Sequence, residues 1–275
     1  MNIFLTGATG TIGSAVADVL KQSGHTVIGL ARSDESAVRL VERGIEVYRG
    51  DLLDPTTLTE GARQADAVIH TAQPQPTPDM DFAALSAIAN NTLTALFDGL
   101  RGSNKRLIIT SGTGAYGDTG ANIVDEDSPL DQSPMMEGFR HMEQRVLDAV
   151  AEQIHTTIIR PSVVYGRGGS GPVLGMIGIA QQFGGGVYVD AGDKLTSTVH
   201  VDDLASLYLL ALEKAPAGHV FNGVAEPFVL VKDLAEAISY AAGLDGKTVS
   251  VPVKEAWQQF GFMAHFLADH MHVSA

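Results

Sequence analysis

Thr6-Gly7-Ala8-Thr9-Gly10-Thr11-Ile12-Gly13 follows the short apolar run Ile3-Phe4-Leu5 and opens an amphipathic helical pattern from Ile12 to Leu20. Glycines at 7, 10 and 13 let the backbone turn tightly and let a pyrophosphate approach the N-terminus of the helix that follows. A glycine triplet alone is a weak signal. Here a strand precedes it, an amphipathic helix follows, and a second strand comes next, which is the context a dinucleotide-binding turn requires. Gly7, Thr9, Gly10, Thr11, Ile12 and Gly13 are therefore candidate cofactor contacts; the competing reading is a structural turn.

Outward from this stretch, apolar strands alternate with helical patterns. Val27-Ile28-Gly29-Leu30 is followed by a polar helix around Ser36–Glu42, then Ile45-Glu46-Val47 and Ala67-Val68-Ile69. A long helix from Phe82 to Leu100 leads to Leu107-Ile108-Ile109, and a helix from about Glu137 to Gln153 leads to Thr157-Ile158-Ile159. Such alternation predicts an α/β fold, a Rossmann-type doubly wound parallel sheet with right-handed crossovers. Beyond Pro161 the texture changes. Gly166, Gly168, Gly169 and Gly171, then Gly184-Gly185-Gly186, read as long loops. Short strands and helices at Asp202–Glu213, Val231–Ala242 and Lys254–His270 follow. The expected organisation is a dinucleotide-binding domain over 1–160, receiving strands from 161–225, and a small C-terminal α/β lobe over 161–275 that holds the substrate. No internal repeat is visible.

Composition narrows the function classes. Of 275 residues, 45% are hydrophobic and 18% charged, which excludes a disordered chain. The net charge of −14 and the absence of a Lys/Arg cluster argue against nucleic acid and anionic membranes as partners. No apolar stretch is long enough to span a bilayer, and no secretory pattern opens the chain, so a cytoplasmic location is expected. With no cysteine there is no disulfide and no thiolate chemistry. His265, His270 and His272, with Asp269 nearby, are not spaced to share one helical face, and no metal site is expected. The expected partner is a small-molecule substrate, and a homodimer is compatible with the sequence.

The second strand ends Leu30-Ala31-Arg32-Ser33. A site preferring NAD wants Asp or Glu here for the ribose hydroxyls. Neutral Ala31 and cationic Arg32 suit a 2′-phosphate better, so the expected cofactor is NADP, with NAD as the alternative. Asp34 and Glu35 stand close enough to blunt the preference.

Together with Gly50-Asp51-Leu52-Leu53-Asp54 and Val68-Ile69-His70-Thr71-Ala72, the glycine turn resembles the extended short-chain dehydrogenase/reductase superfamily, the NAD-dependent epimerase/dehydratase type. Thr110-Ser111-Gly112-Thr113-Gly114-Ala115-Tyr116-Gly117, Arg160-Pro161-Ser162-Val163-Val164-Tyr165-Gly166, His200-Val201-Asp202-Asp203-Leu204-Ala205 and Phe221-Asn222-Gly223 agree, in the same order, up to about residue 223. The resemblance implies that Asp51 and Leu52 flank the adenine, that Thr71, Ala72 and Gln73 border the ribose and nicotinamide side, and that Thr110 joins the cofactor contacts. Relatives of this kind often run beyond the equivalent of residue 275, so a trimmed C-terminal lobe is expected.

In that superfamily hydride chemistry uses Tyr-x-x-x-Lys, with a Ser or Thr from the strand ending near 111. The residues four beyond Tyr48, Tyr116, Tyr165, Tyr188, Tyr208 and Tyr240 are Leu52, Gly120, Gly169, Gly192, Leu212 and Leu244, none of them lysine. Aligning through Glu143 puts Met135 at the tyrosine position and Phe139 at the lysine position. The resemblance is thus to the atypical branch. Substitute catalytic candidates are Tyr116 first, then Tyr165, with Ser111 and Thr113; Arg140, His141 and His200 are weaker. Gln73-Pro74-Gln75-Pro76-Thr77-Pro78 reads as a loop lining the substrate cleft. The expected activity is an NADP(H)-dependent oxidoreductase acting on a carbonyl or alcohol. The alternatives are a non-catalytic NADP(H)-binding regulator, or a lyase, isomerase or cyclase without net redox.

Overall fold

Ile3, Phe4 and Leu5 have no solvent exposure, as an interior strand of a sheet covered on both faces requires. In the computed structural model, which describes residues 1–74 and 82–275, they lie in β1 (Asn2–Thr6). The chain continues through α1 (Thr11–Gln22), β2 (Thr26–Ala31), α2 (Asp34–Glu42), β3 (Glu46–Arg49), α3 (Pro55–Gln64), β4 (Ala67–His70), α4 (Phe82–Leu100) and β5 (Arg106–Thr110). Then come α5 (Glu137–Asp148), β6 (His155–Pro161), β7 (Val163–Tyr165), α6 (Gly171–Phe183), β8 (Gly186–Val189), β9 (Leu195–His200) and α7 (Val201–Lys214). The remainder holds β10 (His219–Gly223), β11 (Glu226–Leu230), α8 (Val231–Ala241), β12 (Thr248–Val251) and α9 (Val253–Phe260).

Seven strands form one sheet in the order β10-β6-β5-β4-β1-β2-β3. β1 pairs in parallel with β2 on one side and β4 on the other. The strand order therefore reverses between β1 and β4, and in open α/β sheets ligands bind beyond the strand ends at such a point. The doubly wound α/β fold expected from sequence is the fold observed. Local caps set the segment boundaries. Ser33 and Ser36 form a reciprocal capping box at the start of α2, and Asp54 accepts from the amides of Thr56 and Thr57 before Pro55 opens α3.

Contacts divide the chain into two units. Unit 1 comprises Met1–Ser111, Glu137–Ile159 and Ala205–Phe221; unit 2 comprises Gly112–Met136, Arg160–Leu204 and Asn222–Ala275. The expected cut between 160 and 161 lies one residue from the division within β6. The units are interleaved rather than consecutive, because 112–136 and 205–221 each belong with the other half. Phe4, Leu58, Val68, Leu96, Leu107 and Ile158 centre the core of unit 1. Val163, Met176, Val187, Val231, Ile238 and Leu267 centre that of unit 2. Unit 2 carries a three-stranded sheet, β11-β9-β7, and a two-stranded one, β12-β8.

Two expectations about unit 2 need correction. The glycine-dense segment after Pro161 contains α6 rather than loop alone. Pro172 opens it, and Val173, Met176 and Ala180 give it a buried stripe that the glycines mask in the sequence. The helix expected over Lys254–His270 is interrupted rather than continuous: α9 ends before Gly261, whose φ is +52°, and a 3₁₀ turn over Gly261–Ala264 and a single helical turn over His265–Ala268 follow. Beyond it, Met271 and Val273 make isolated bridges to Thr196 and Val124. Among the described residues no helix is long and apolar enough to cross a membrane.

Candidate functional site

In unit 1 the glycine turn closes tightly. The Gly10 amide donates to the Gly7 carbonyl at 2.9 Å, and the Ser14 amide to the Gly10 carbonyl at 2.9 Å. Thr71 buttresses the turn by donating its Oγ1 to the Thr6 carbonyl at 2.8 Å. The three glycines are needed for different reasons. Gly7 has φ +79°, and a Cβ on it would stand 2.7 Å from the Ala72 nitrogen; a Cβ on Gly13 would stand 2.2 Å from the Gly7 oxygen. A Cβ on Gly10 would meet only the Gly7 oxygen, at 3.3 Å. Gly7 and Gly13 thus keep the fold closed, while Gly10 leaves space over the start of α1. That start has no side-chain cap and no acidic residue in its first turn. First-turn amides lack intrahelical acceptors, and with the helix dipole they favour an anion there. The cradle around Thr9, Thr11 and Ile12 fits a dinucleotide pyrophosphate.

At the end of β2, Ala31 is buried and Arg32 projects outward. The Arg32 Nε lies 3.9 Å from Asp51 Oδ2, with 68% of the arginine side chain exposed. Asp51 also accepts from the Leu53 amide at 3.0 Å, and Leu52 packs against the core of unit 1. The other two acids near Arg32 have their own cations: Asp34 meets Arg49 at 2.6 Å and Glu35 lies 3.9 Å from Arg39. An exposed pair such as Arg32–Asp51 contributes about 0–1 kcal/mol, so Arg32 is cheaply released to another anion.

Thr71 and Ala72 are half-buried beside the turn, and Gln73 is exposed. The Pro-rich stretch continuing from Gln73 falls, from Gln75 onward, outside the described residues. Thr110 is spent internally, donating to the His70 carbonyl at 2.9 Å and lying 2.6 Å from the Tyr208 hydroxyl. His70 Nδ1 meets Thr6 Oγ1 at 2.6 Å, and burial pushes its pKa down to about 4. Ser111 donates to buried Glu143 at 2.5 Å. Met135 is exposed, Phe139 half-buried, and exposed His141 lies 3.9 Å from Glu137.

In unit 2, Tyr116 ends a single 3₁₀ turn over Thr113–Tyr116 and is 5% exposed. Its hydroxyl donates to Asn222 Oδ1 at 3.0 Å and accepts from Arg160 Nη1 at 2.6 Å, while the guanidinium carbon stands 4.9 Å from the ring centre. Asn222 is held in turn through its amide, which donates to Glu126 at 2.7 Å. Burial raises the Tyr116 pKa, against the opposing pull of Arg160. The side chain ranked first as proton donor from sequence is therefore enclosed between Arg160 and Asn222. Thr113 is buried as well.

Tyr165 stands differently. It is 37% exposed, at the end of β7, and lines a cavity of about 560 Å³ lying wholly within unit 2. Its hydroxyl donates to Glu226 Oε1 at 2.9 Å, and Thr198 donates to the other carboxylate oxygen. Burial, then Glu226, raises its pKa, so the phenol stays protonated at neutral pH. The His200 ring meets it edge-on at 5.2 Å. Glu226 was not singled out from sequence. Its only signal was a carboxylate at the head of the short alternating run Glu226-Pro227-Phe228-Val229-Leu230. Elsewhere in unit 2, buried His265 contacts Asp269 and stacks edge-on with Trp257. Among the described residues no group of His, Asp and Glu could hold a metal ion.

Comparison with known proteins adds a family and a fold. The profile of the NAD dependent epimerase/dehydratase family matches residues 3–222. A protein of Schizosaccharomyces pombe described as uncharacterized is 35% identical over 272 residues, covering 98% of this chain and 89% of its own. The 4-hydroxy-2-methyl-3-oxo-4-farnesyl-3,4-dihydroquinoline-1-oxide ketoreductase of Stigmatella aurantiaca is 26% identical over 93% of this chain and 78% of its own. The dTDP-glucose 4,6-dehydratase of Bacillus anthracis, crystallised with NAD, shares the fold, with a TM-score of 0.74 at 18% identity over 92% of this chain and 84% of its own.

Proposed function

The chain belongs to the NAD dependent epimerase/dehydratase family, whose members bind NAD or NADP, and from that premise we propose that it is an NADP(H)-dependent oxidoreductase interconverting a carbonyl and an alcohol on a small molecule. The observation that carries this reading is the turn at 7–13: Gly10 leaves open space over an uncapped helix start, beside the point where the strand order reverses. Arg32, exposed at the end of β2, supports NADP, because a charge-assisted contact to a 2′-phosphate, about 1.5–3 kcal/mol, exceeds its loose pairing with Asp51. The ketoreductase named above gives the carbonyl chemistry a precedent among relatives.

Bound NADPH supplies a hydride. The chain must supply a proton to the carbonyl oxygen and accept one in the reverse direction. We assign this to Tyr165, whose protonated phenol faces a cavity and whose partner Glu226 orients the hydroxyl. Tyr116, enclosed between Arg160 and Asn222, and Ser111, which donates to Glu143, serve as positioning residues in this reading. Oxidation of NADPH by a panel of ketones, followed by the cofactor's absorbance, tests it. Tyr165→Phe should lower kcat by about 10²–10⁴ with NADPH affinity retained. Turnover at the parent rate by Tyr165→Phe would remove the assignment, and absence of NADPH and NADH binding would remove the oxidoreductase reading.

A further inference from the structure

The cavity of unit 2 has a composition that selects a ligand. Its walls are apolar: Val173 and Ile177 from α6, Leu234, Ala237 and Ile238 from α8, and Val163 from β7. Polar side chains enter at Tyr165, Thr198 and Glu226. Both carboxylate oxygens of Glu226 accept a bond, one from Tyr165 and one from Thr198, which fixes the group in place. A carboxylate has about four acceptor sites, so room remains for a ligand donor. No Lys, Arg or His is among the described residues that line the cavity. The nearest basic side chain, His200 against the Tyr165 ring, has its Nδ1 accepting from the Asp202 amide at 3.2 Å. Arg167 is bonded to Asp202 at 2.7 Å, and Asp203 lies close enough to Tyr165 to raise its pKa.

A nucleoside diphosphate sugar, a phosphate ester or a fatty acid brings negative charge that needs a cation or a cluster of donors. This cavity offers an acceptor and apolar walls instead. Its volume falls in the range of sites for drug-sized molecules, and such sites fix orientation with a few polar groups. From the apolar walls and the fixed Glu226 carboxylate we propose that the cavity binds a neutral or cationic amphiphile, an alkyl body with a hydroxyl or amino head. The body lies against α6 and α8, and the head meets Tyr165 and Glu226. Calling this ligand the substrate rests on the oxidoreductase reading; the binding itself does not.

The test is calorimetric titration of the whole protein, without cofactor, with octanol, octylamine, octanoate and UDP-glucose. The first three share one tail and differ in head charge. Octanol and octylamine should bind, octanoate about tenfold or more weakly, and UDP-glucose not at all. Glu226→Gln should bring octanoate to within a few-fold of octanol, since it removes the charge and keeps the shape. Ala237 is solvent-exposed on the cavity wall, so Ala237→Phe should fill the space and abolish octanol binding without disturbing the core. Octanoate or UDP-glucose binding as tightly as octanol overturns the proposal, as does octanol binding that Ala237→Phe leaves unchanged. A separate NADPH titration keeps the two readings apart. Amphiphile binding without NADPH binding defeats the oxidoreductase reading alone, and NADPH binding without amphiphile binding defeats this one alone.

Discussion

Replacing Gly10 by valine separates cofactor binding from folding more cleanly than any other change in the turn. Gly10 has φ −81° and ψ 172°, an extended conformation that a β-branched residue adopts readily. Its added Cβ meets only the Gly7 oxygen, at 3.3 Å. The stability cost is that of a poor residue at a helix N-cap, about 1 kcal/mol. The binding cost is much larger, because the isopropyl group occupies the space over the first-turn amides. Losing two charge-assisted bonds at about 1.5–3 kcal/mol each weakens binding by roughly 10²–10⁴. Gly7→Ala and Gly13→Ala are the informative contrasts. The first forces an L-residue to φ +79° against the Ala72 nitrogen, and the second sets a Cβ 2.2 Å from the Gly7 oxygen, so both should lose binding by disturbing the fold. The assay pairs NADPH titration by fluorescence with urea denaturation. A folded Gly10→Val protein that binds NADPH as well as the parent would refute the placement of the pyrophosphate.

The other expectations are narrower. Arg32→Ala should reduce the preference for NADPH over NADH by about tenfold, and Asp51→Asn should increase it by freeing Arg32; titrations in which neither change alters the ratio of the two affinities would show that Arg32 does not read the 2′-phosphate. Tyr116→Phe should destabilise the protein by about 1–3 kcal/mol in urea, because Arg160 Nη1 and Asn222 Oδ1 each lose a buried bond; unchanged stability with a collapsed kcat would return Tyr116 to the role of proton donor. Stability should also fall on acidification. His70 takes up its proton near 6.5 when unfolded and near 4 when folded, so the unfolded state binds more protons in between. Its contribution should drop by about 2 kcal/mol from pH 7 to pH 5, and a His70→Asn variant with the same slope in urea denaturation would show that the proton uptake occurs elsewhere.

Much of unit 1 is readable from local order alone. The Gly7, Gly10 and Gly13 spacing, the apolar run before it and the amphipathic run after it are encoded within a few residues of one another. Strand-to-helix alternation then leaves few topologies. Arg32 is legible for the same reason, since it follows β2 directly. The helix over Gly171–Phe183 is not, because three glycines within it disguise a buried stripe that matters only once a core is packed against it.

The surroundings of the two candidate tyrosines could not be read locally either. Tyr116 and Tyr165 look alike along the chain, each following a strand near glycines. Tertiary structure alone decides that Tyr116 is closed between Arg160 and Asn222, residues 44 and 106 positions away, while Tyr165 opens onto a cavity beside Glu226, 61 positions away. Backbone turns and helix starts depend on neighbours in sequence, so spacing determines them. Whether a hydroxyl is enclosed or faces a cavity depends on which distant groups packing brings around it, and short-range spacing does not encode that.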